Sequence, residues 1–188
     1  MLPELQTFRT CLKPLNFSHA PQIFDLRSNT EVMRYMDSES CRNLEDAEMF
    51  ICRQIEANKE NEGANWGIFL RDSAQLIGYA GFWRINKEHF RGEFGYALHP
   101  DFWRTGLMLE VLNDIACYGF KNLGLHSIEA NINPKNSASA GLLLKLGFKL
   151  EAQFSENFYF NGIFHDSHIY SLLEKNFIQS CINEKSET

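Results

Sequence analysis

The sequence predicts a mixed α/β fold: one domain, a mostly antiparallel mixed sheet, and helices on both faces of that sheet. Three observations predict it. Runs rich in aromatic and β-branched residues at 64–71, 75–83 and 92–98 are separated only by the short polar stretches RDSA and NKEHFR, the texture of successive antiparallel strands. After His99 and Pro100 the pattern changes to a long amphipathic stretch, then an alternating segment, then a short apolar helix pattern, which reads as helix, strand, helix. The length, 188 residues, supports one well-buried core and is short for two ordinary domains.

Taken in order, Thr7 to Leu15 reads as a first strand closed by Pro14, with a helix start near Ser18 or His19. Ala20 to Arg27 places Ile23, Phe24 and Leu26 on one stripe, and Asn29 to Met36 opens on a capping Asn or Thr. Asn43 to Lys59 keeps Ala47, Phe50, Ile51 and Ile55 near one face and ends in the polar segment KENEGAN, a helix with a clear stop. The three strands follow. Gly106 to Leu123 carries Leu109, Val111, Leu112, Ile115, Ala116 and Phe120 along a long helix, Ser127 to Ile132 alternates as a strand, and Ser137 to Leu146 is a helix ended by Gly147. Phe148 to Phe158 and Phe164 to Leu173 close the domain as strands, so that the ordered core spans about 7–175 and the polar tail from Ile178 to Thr188 is loose.

Composition narrows the function. The formal charge is −6 and no Lys/Arg run occurs, so the basic stripe that nucleic-acid binding needs is missing. Five cysteines, odd in number and never in a C-x-x-C arrangement, offer neither a disulfide framework nor a zinc site. The leading MLPELQTFRT lacks the basic and apolar regions of a secretory signal, and no apolar run approaches the roughly 20 residues that span a bilayer. These features point to a cytoplasmic protein with no membrane or nucleic-acid partner and no metal.

Two stretches carry chemistry. In GEFGYALHPDFWRTGLMLEVL, residues 92–112, a strand runs into a turn at Thr105 and Gly106 that opens the long helix; the first turn of such a helix leaves backbone N–H groups unpaired at the positive end of its dipole, a cradle for phosphate oxygens. In HSIEANINPKNSASAGLLLKLGFKLEA, residues 126–152, a strand meets an N-P-K-N-S turn whose Asn136 suits a helix cap, with Ser139 on the following helix.

Together these stretches, with LKPLNFSHAPQIF and NTEVMRYM before them and NGIFHDSHIYSLL after them, resemble the GNAT superfamily of N-acetyltransferases, and within it the branch that includes the ribosomal-protein N-terminal acetyltransferases RimJ and RimL. The resemblance covers almost the whole chain, with its motifs in the family's order. It implies an acetyl-CoA-dependent transfer to a primary amine, directly and without an acyl-enzyme, and a cofactor lying in a gap where strands 92–98 and 127–132 splay apart. It assigns cofactor contacts to Leu98, Trp103, Arg104, Thr105, Gly106, Leu107, Met108, Asn131, Asn136 and Ser139, with the diphosphate on the amides of Arg104 through Met108. Ser139 falls where the branch places a hydroxyl near the departing sulfur, and Glu93 resembles the acid that takes the ammonium proton. The acceptor is a small-molecule or peptide amine, selected by the helix 1–2 region and the 153–166 segment, and a homodimer is compatible with the family.

The resemblance has departures. Trp103-Arg104-Thr105-Gly106-Leu107-Met108 keeps only the tryptophan and central glycine of the branch's loop; Arg104 replaces a glycine that eases a tight backbone, and Met108 replaces a small residue that lets the diphosphate approach. That motivates an alternative, a catalytically weakened acyl-CoA-binding or protein-interaction module. Glu93 also reads as an ion-pair partner, Asn136 as a plain cap, Tyr96 as a ring packed on the long helix, and Asp166 as a turn stabiliser.

Overall fold

The structure, a computed structural model, describes residues 2–177. Its elements are β1 (Leu5–Gln6), β2 (Thr10–Pro14), α1 (Ala20–Ser28), α2 (Thr30–Met33), α3 (Leu44–Glu60), β3 (Ala64–Leu70), β4 (Leu76–Asn86), β5 (Arg91–Leu98), α4 (Leu107–Lys121), β6 (Ser127–Ile132), α5 (Ser137–Lys145), β7 (Lys149–Phe160) and β8 (Ile163–Leu173). The eight strands form one sheet in the order β1-β2-β3-β4-β5-β6-β8-β7, and only β5 and β6 run parallel. The mixed, mostly antiparallel sheet with helices on both faces is therefore as the sequence predicts. The polar tail expected to be loose lies outside the described residues.

Each face of the sheet buries its own core. On one, the α4 stripe of Leu107, Met108, Val111, Leu112, Ile115, Ala116 and Phe120 packs with α5 and with Phe82, Phe94 and Leu98 of the strands, the two-residues-in-four spacing that keeps one helix side apolar. On the other, Ala20, Ile23 and Leu26 of α1 and Ala47 and Ile51 of α3 meet Phe69, Leu76, Tyr79 and Ala97. Strand alternation thus sends Phe94, Tyr96 and Leu98 of β5 toward α4, and Glu93, Gly95 and Ala97 toward α1 and α3.

Several boundaries differ from the sequence reading for identifiable reasons. The first strand is broken at Thr7, whose amide donates to the Thr10 carbonyl and whose hydroxyl accepts from the Thr10 amide, a local turn that competes with extension. The second helix stops at Met33 rather than Met36. β4 runs to Asn86, because Arg84, Ile85 and Asn86 pair with Glu93, Gly92 and Arg91 past a bulge between Phe82 and Arg84. β7 and β8 each reach further toward one another, across a tight turn in which Asn161 has φ 50° and Gly162 φ 81°; an Asn-Gly pair at two positive-φ positions is the usual type I′ hairpin connection.

The feature that positions the site is the end of the β5–β6 ladder. Arg91, Gly92 and Glu93 pair with Ser127, Ile128 and Glu129, and from Phe94 and Ala130 onward the strands part. β5 stays bonded to β4 as far as Leu98, and β6 to β8 as far as Ile132. The β4 bulge faces Glu93 and Phe94, at the very register where the parting begins, and bulges bend and twist the strands they interrupt. A second tie holds the far end of the gap: Glu110, in the first turn of α4, accepts hydrogen bonds from the Thr7 hydroxyl, the Arg9 amide at 2.7 Å and Arg9 Nε at 2.8 Å, while Arg9 Nη1 donates to the Thr105 carbonyl at 2.9 Å.

Two stability predictions follow from this packing. A Cβ on Gly119 of α4 would meet Phe82 Cζ at 2.5 Å and Leu125 at 3.2 Å; although Ala is the better helix former by ~1 kcal/mol, the rigid ring cannot yield, so Gly119→Ala destabilises by roughly 1–3 kcal/mol in urea unfolding. For Glu110, partial burial pushes its carboxyl up but the Thr7 and Arg9 hydrogen bonds outweigh it and hold the carboxyl below its ordinary value. A depressed folded-state pKa stabilises at neutral pH and ceases to as pH falls through it. Glu110→Gln is therefore less stable than the parent by on the order of 1 kcal/mol at pH 7, and melting curves of the two proteins converge in acid.

Candidate active site

The gap between β5 and β6 opens toward the start of α4. Gly106 caps that helix in the left-handed region, φ 81°, with no side-chain cap, and the amides of Arg104 through Met108 donate to no backbone or side-chain acceptor among the described residues. Arg104 itself holds φ 59°, a conformation strained for an L side chain and easy for glycine; the backbone keeps the tight turn that the sequence substitution seemed to oppose. Met108, expected to crowd a phosphate, instead lies 9% exposed in the core beneath the helix, because the helical spacing of Leu107 and Met108 turns both side chains toward the sheet. The concern raised by Met108 is corrected accordingly.

The remaining loop residues brace the turn. Trp103 Nε1 donates to the Leu98 carbonyl at 2.7 Å, and Thr105 Oγ1 to the Phe102 carbonyl at 2.7 Å. The Leu98 and Leu107 side chains are buried in the core, so only their backbone can face a ligand. Arg9, which no motif marked, brings its guanidinium to this loop: a Cβ on Gly106 would stand 3.5 Å from Nη2. Its signal was absent from the sequence because the contact spans about a hundred residues.

A cofactor of the expected kind fits these groups. Free amides at a helix N-terminus beside a guanidinium suit a diphosphate, and the β5 edge left by the parting strands offers backbone groups to an extended arm. On the α4 face of that edge, the Tyr96 phenol oxygen is closed to solvent and has no hydrogen-bond partner. Ser139 lies near it, in the first turn of α5, where Asn136 caps the helix by accepting the Ser139 amide at 3.0 Å. The capping role read for Asn136 is thus observed. Asn131 is exposed and projects on the opposite face, beside Glu129.

Glu93 and Glu129 stand side by side at the last paired register. Glu93 is 6% exposed; Arg84 Nη2 lies 2.6 Å from it and 4.0 Å from Glu129, and Arg91 lies 3.0 Å from Glu129. Burial pushes the Glu93 carboxyl above its ordinary value, reinforced by Glu129 and opposed by Arg84. A cavity of about 560 Å³ opens over this group, lined by Glu62, Glu88, Glu93 and Glu129 against Arg84, Lys87 and Arg91. Arg84 stacks on the indole of exposed Trp83 at 4.9 Å, and Gly95 leaves the room that the ring occupies. The structure therefore brings Tyr96 to Ser139 and Arg84 to Glu93, but puts the two pairs on opposite faces of the sheet, with the open gap between them.

The two segments expected to select an acceptor also meet. Residues 33–40, after α2, and Phe160 to His165, at the β7–β8 tip, enclose about 230 Å³ with Asn133, which follows β6. Burial raises the Asp37 carboxyl there, with His165 opposing. Asp166, read as a turn stabiliser, accepts the Glu156 amide at 2.8 Å where β7 bulges. His99 likewise accepts the Asp101 amide at 3.4 Å in the turn after β5. Among the described residues no helix is long and apolar enough to cross a membrane, and no three metal-ligating side chains gather.

Comparison with known proteins agrees with this geometry. An N-acetyltransferase of Bacillus subtilis, YoaA, itself uncharacterised, is 38% identical over 174 residues, which cover 93% of this chain and 98% of its own. Among solved structures, RimL, the ribosomal L7/L12 α-N-protein acetyltransferase in complex with coenzyme A, superposes with a TM-score of 0.83 at 18% identity, covering 91% of this chain and 98% of that one. Spermidine N-acetyltransferase from Vibrio cholerae, bound to CoA and spermine, gives 0.79 at 22% identity over 90% and 98%. The family model of the acetyltransferase (GNAT) domain matches residues 9–149, and with the splayed strands and the uncapped helix described above, the chain belongs to the GNAT family of N-acetyltransferases.

Proposed function

We propose that this protein transfers an acetyl group from acetyl-CoA directly to a primary amine, either a peptide N-terminus or a small-molecule amine. The observation that carries the reading is the parting of β5 and β6 immediately after Glu93, in line with the unpaired amides at the head of α4. Acetyl-CoA supplies the activated acyl group as a thioester. The amides of 104–108 and Arg9 hold its diphosphate, and the β5 edge aligns its arm.

Glu93 takes the proton released by the acceptor nitrogen, directly or through water, because an amine attacks only when neutral and is mostly protonated at pH 7. Its burial raises the carboxyl above its ordinary value and so makes it a better base than a free carboxylate, while Arg84 opposes that rise. From the other face, the Ser139 hydroxyl donates a hydrogen bond to the departing sulfur. A cationic acceptor reaches the gap past Asp37 and the β7–β8 tip; the spermidine and ribosomal-protein enzymes among the structural neighbours act on amines, which supports the acceptor class and leaves both acceptor types in play.

Calorimetry with acetyl-CoA and a thiol-release assay over a polyamine, an amino sugar and peptides with free N-termini test the reading; tight binding without turnover on any amine would instead identify a binding module. Glu93→Gln lowers turnover roughly 100-fold. Arg84→Gln removes the cation that lowers the Glu93 carboxyl, so the acid limb of the pH–rate profile moves to higher pH; an unmoved limb excludes Glu93 as the base. Ser139→Ala lowers turnover by about 10- to 100-fold while leaving the calorimetric affinity for acetyl-CoA unchanged.

A further inference from the structure

Among the described residues, two buried side-chain polar atoms lack a hydrogen-bond partner, Arg27 Nε and the Tyr96 phenol, and of these it is Tyr96 that stands on the parted strand β5. Its ring is held by the α4-side core, a task Phe would perform equally well. Its hydroxyl, closed to solvent and without a partner, costs about 1–3 kcal/mol relative to a satisfied or absent group, and buried orphans of this kind are rare in native folds. Its neighbour is Ser139, whose side chain lies close enough to the phenol to oppose its upward shift and whose amide is already fixed by Asn136. The two oxygens approach along independent elements, β5 and α5, on the α4 side of the opened strand pair.

We infer that Tyr96 is a positioning residue for acyl transfer: with acetyl-CoA bound, its phenol donates a hydrogen bond to Ser139 Oγ, which orients the Ser139 proton toward the thioester sulfur. The inference rests on the transfer proposed above. In that step the amine nitrogen bonds to the carbonyl carbon, the C–S bond breaks and its electron pair leaves on sulfur. The nitrogen's proton passes to Glu93, and sulfur receives the Ser139 hydrogen bond. A serine hydroxyl can donate only one proton and rotates freely; a fixed donor behind it occupies its lone pair and leaves one useful direction. Burial pushes the Tyr96 phenol up to about 12, with Ser139 opposing, so it remains a donor across the working pH range.

The test is Tyr96→Phe, alone and combined with Ser139→Ala. The expected result is a roughly tenfold fall in kcat, as for a positioning contact made through another group, with the KM for acetyl-CoA and its calorimetric affinity unchanged. The acid limb of the pH profile stays in place. The unliganded melting temperature is unchanged or higher, because the variant removes only an unsatisfied hydroxyl. In the double variant, Tyr96→Phe adds no loss to Ser139→Ala, since its effect passes through that serine. Multiplied losses in the double variant, a lowered melting temperature in step with activity, or a fully active Tyr96→Phe beside an impaired Ser139→Ala each overturn the assignment. A parent protein that neither binds acetyl-CoA nor releases thiol with any amine overturns the transferase reading itself, and this inference with it.

Discussion

The architecture turns on the three-residue length of the β5–β6 ladder. A parallel pair in the middle of an eight-stranded sheet would ordinarily run the full length of its strands, since each abandoned backbone group inside a protein costs about as much as a lost hydrogen bond. Here β5 continues along β4 and β6 continues along β8 after their mutual pairing stops at Glu93 and Glu129. The bulge between Phe82 and Arg84 sits opposite that point and gives β5 the extra twist that carries it away. Phe82, fully buried between Gly92 and Gly119, pins strand and helix at the closed end of the gap, while Arg9 and Glu110 pin the helix at the open end. The gap is thus held from both sides by packing and charge rather than by a mobile segment.

The same divergence separates the charges. Because strand alternation puts Glu93 on one face and Tyr96 on the other, a buried carboxyl and a buried phenol flank the gap without touching, an arrangement in which each environment is set independently. Glu93 and Glu129, forced together by the parallel register, would repel; Arg84 and Arg91 offset that, yet Arg84 is largely exposed and screened by solvent. Burial of Glu93 therefore dominates over its ion pair and holds its carboxyl above the ordinary value.

What the sequence disclosed depended on whether a signal was local. The α4 stripe, the Asn136 cap, the three middle strands and the turn at Thr105–Gly106 each occupy one contiguous stretch, and each was legible. The contributions of Arg9, Arg84 and Glu129 arise from register and from pairing across the sheet, which a single chain does not display. Met108 follows its place on the 3.6-residue repeat and not its position in the motif, so the helix turns it into the core. Tyr96 was legible as a packed ring, which it is, but its hydroxyl could be seen as stranded only once α5 was in place. The Asn161-Gly162 hairpin was readable and its type I′ signature passed over, so the last two strands were drawn too short.

Unsatisfied groups occur in any fold, and taken singly each has a bland account: free amides at a helix start, a bare strand edge, a hidden phenol. Their arrangement is what discriminates. Imperfect packing would scatter such groups over the molecule, whereas here the amides of 104–108, the β5 edge beyond Glu93 and the Tyr96 oxygen succeed one another along a single opening. Among the described residues, the buried, unmatched side-chain atoms other than the Tyr96 oxygen reduce to Arg27 Nε, whose guanidinium is otherwise engaged by Tyr79, Ser38 and the Glu39 carbonyl. Free amides at a helix head, an open strand edge and a hidden phenol gathered beside one gap have the form of a site completed by a long, polar-headed ligand.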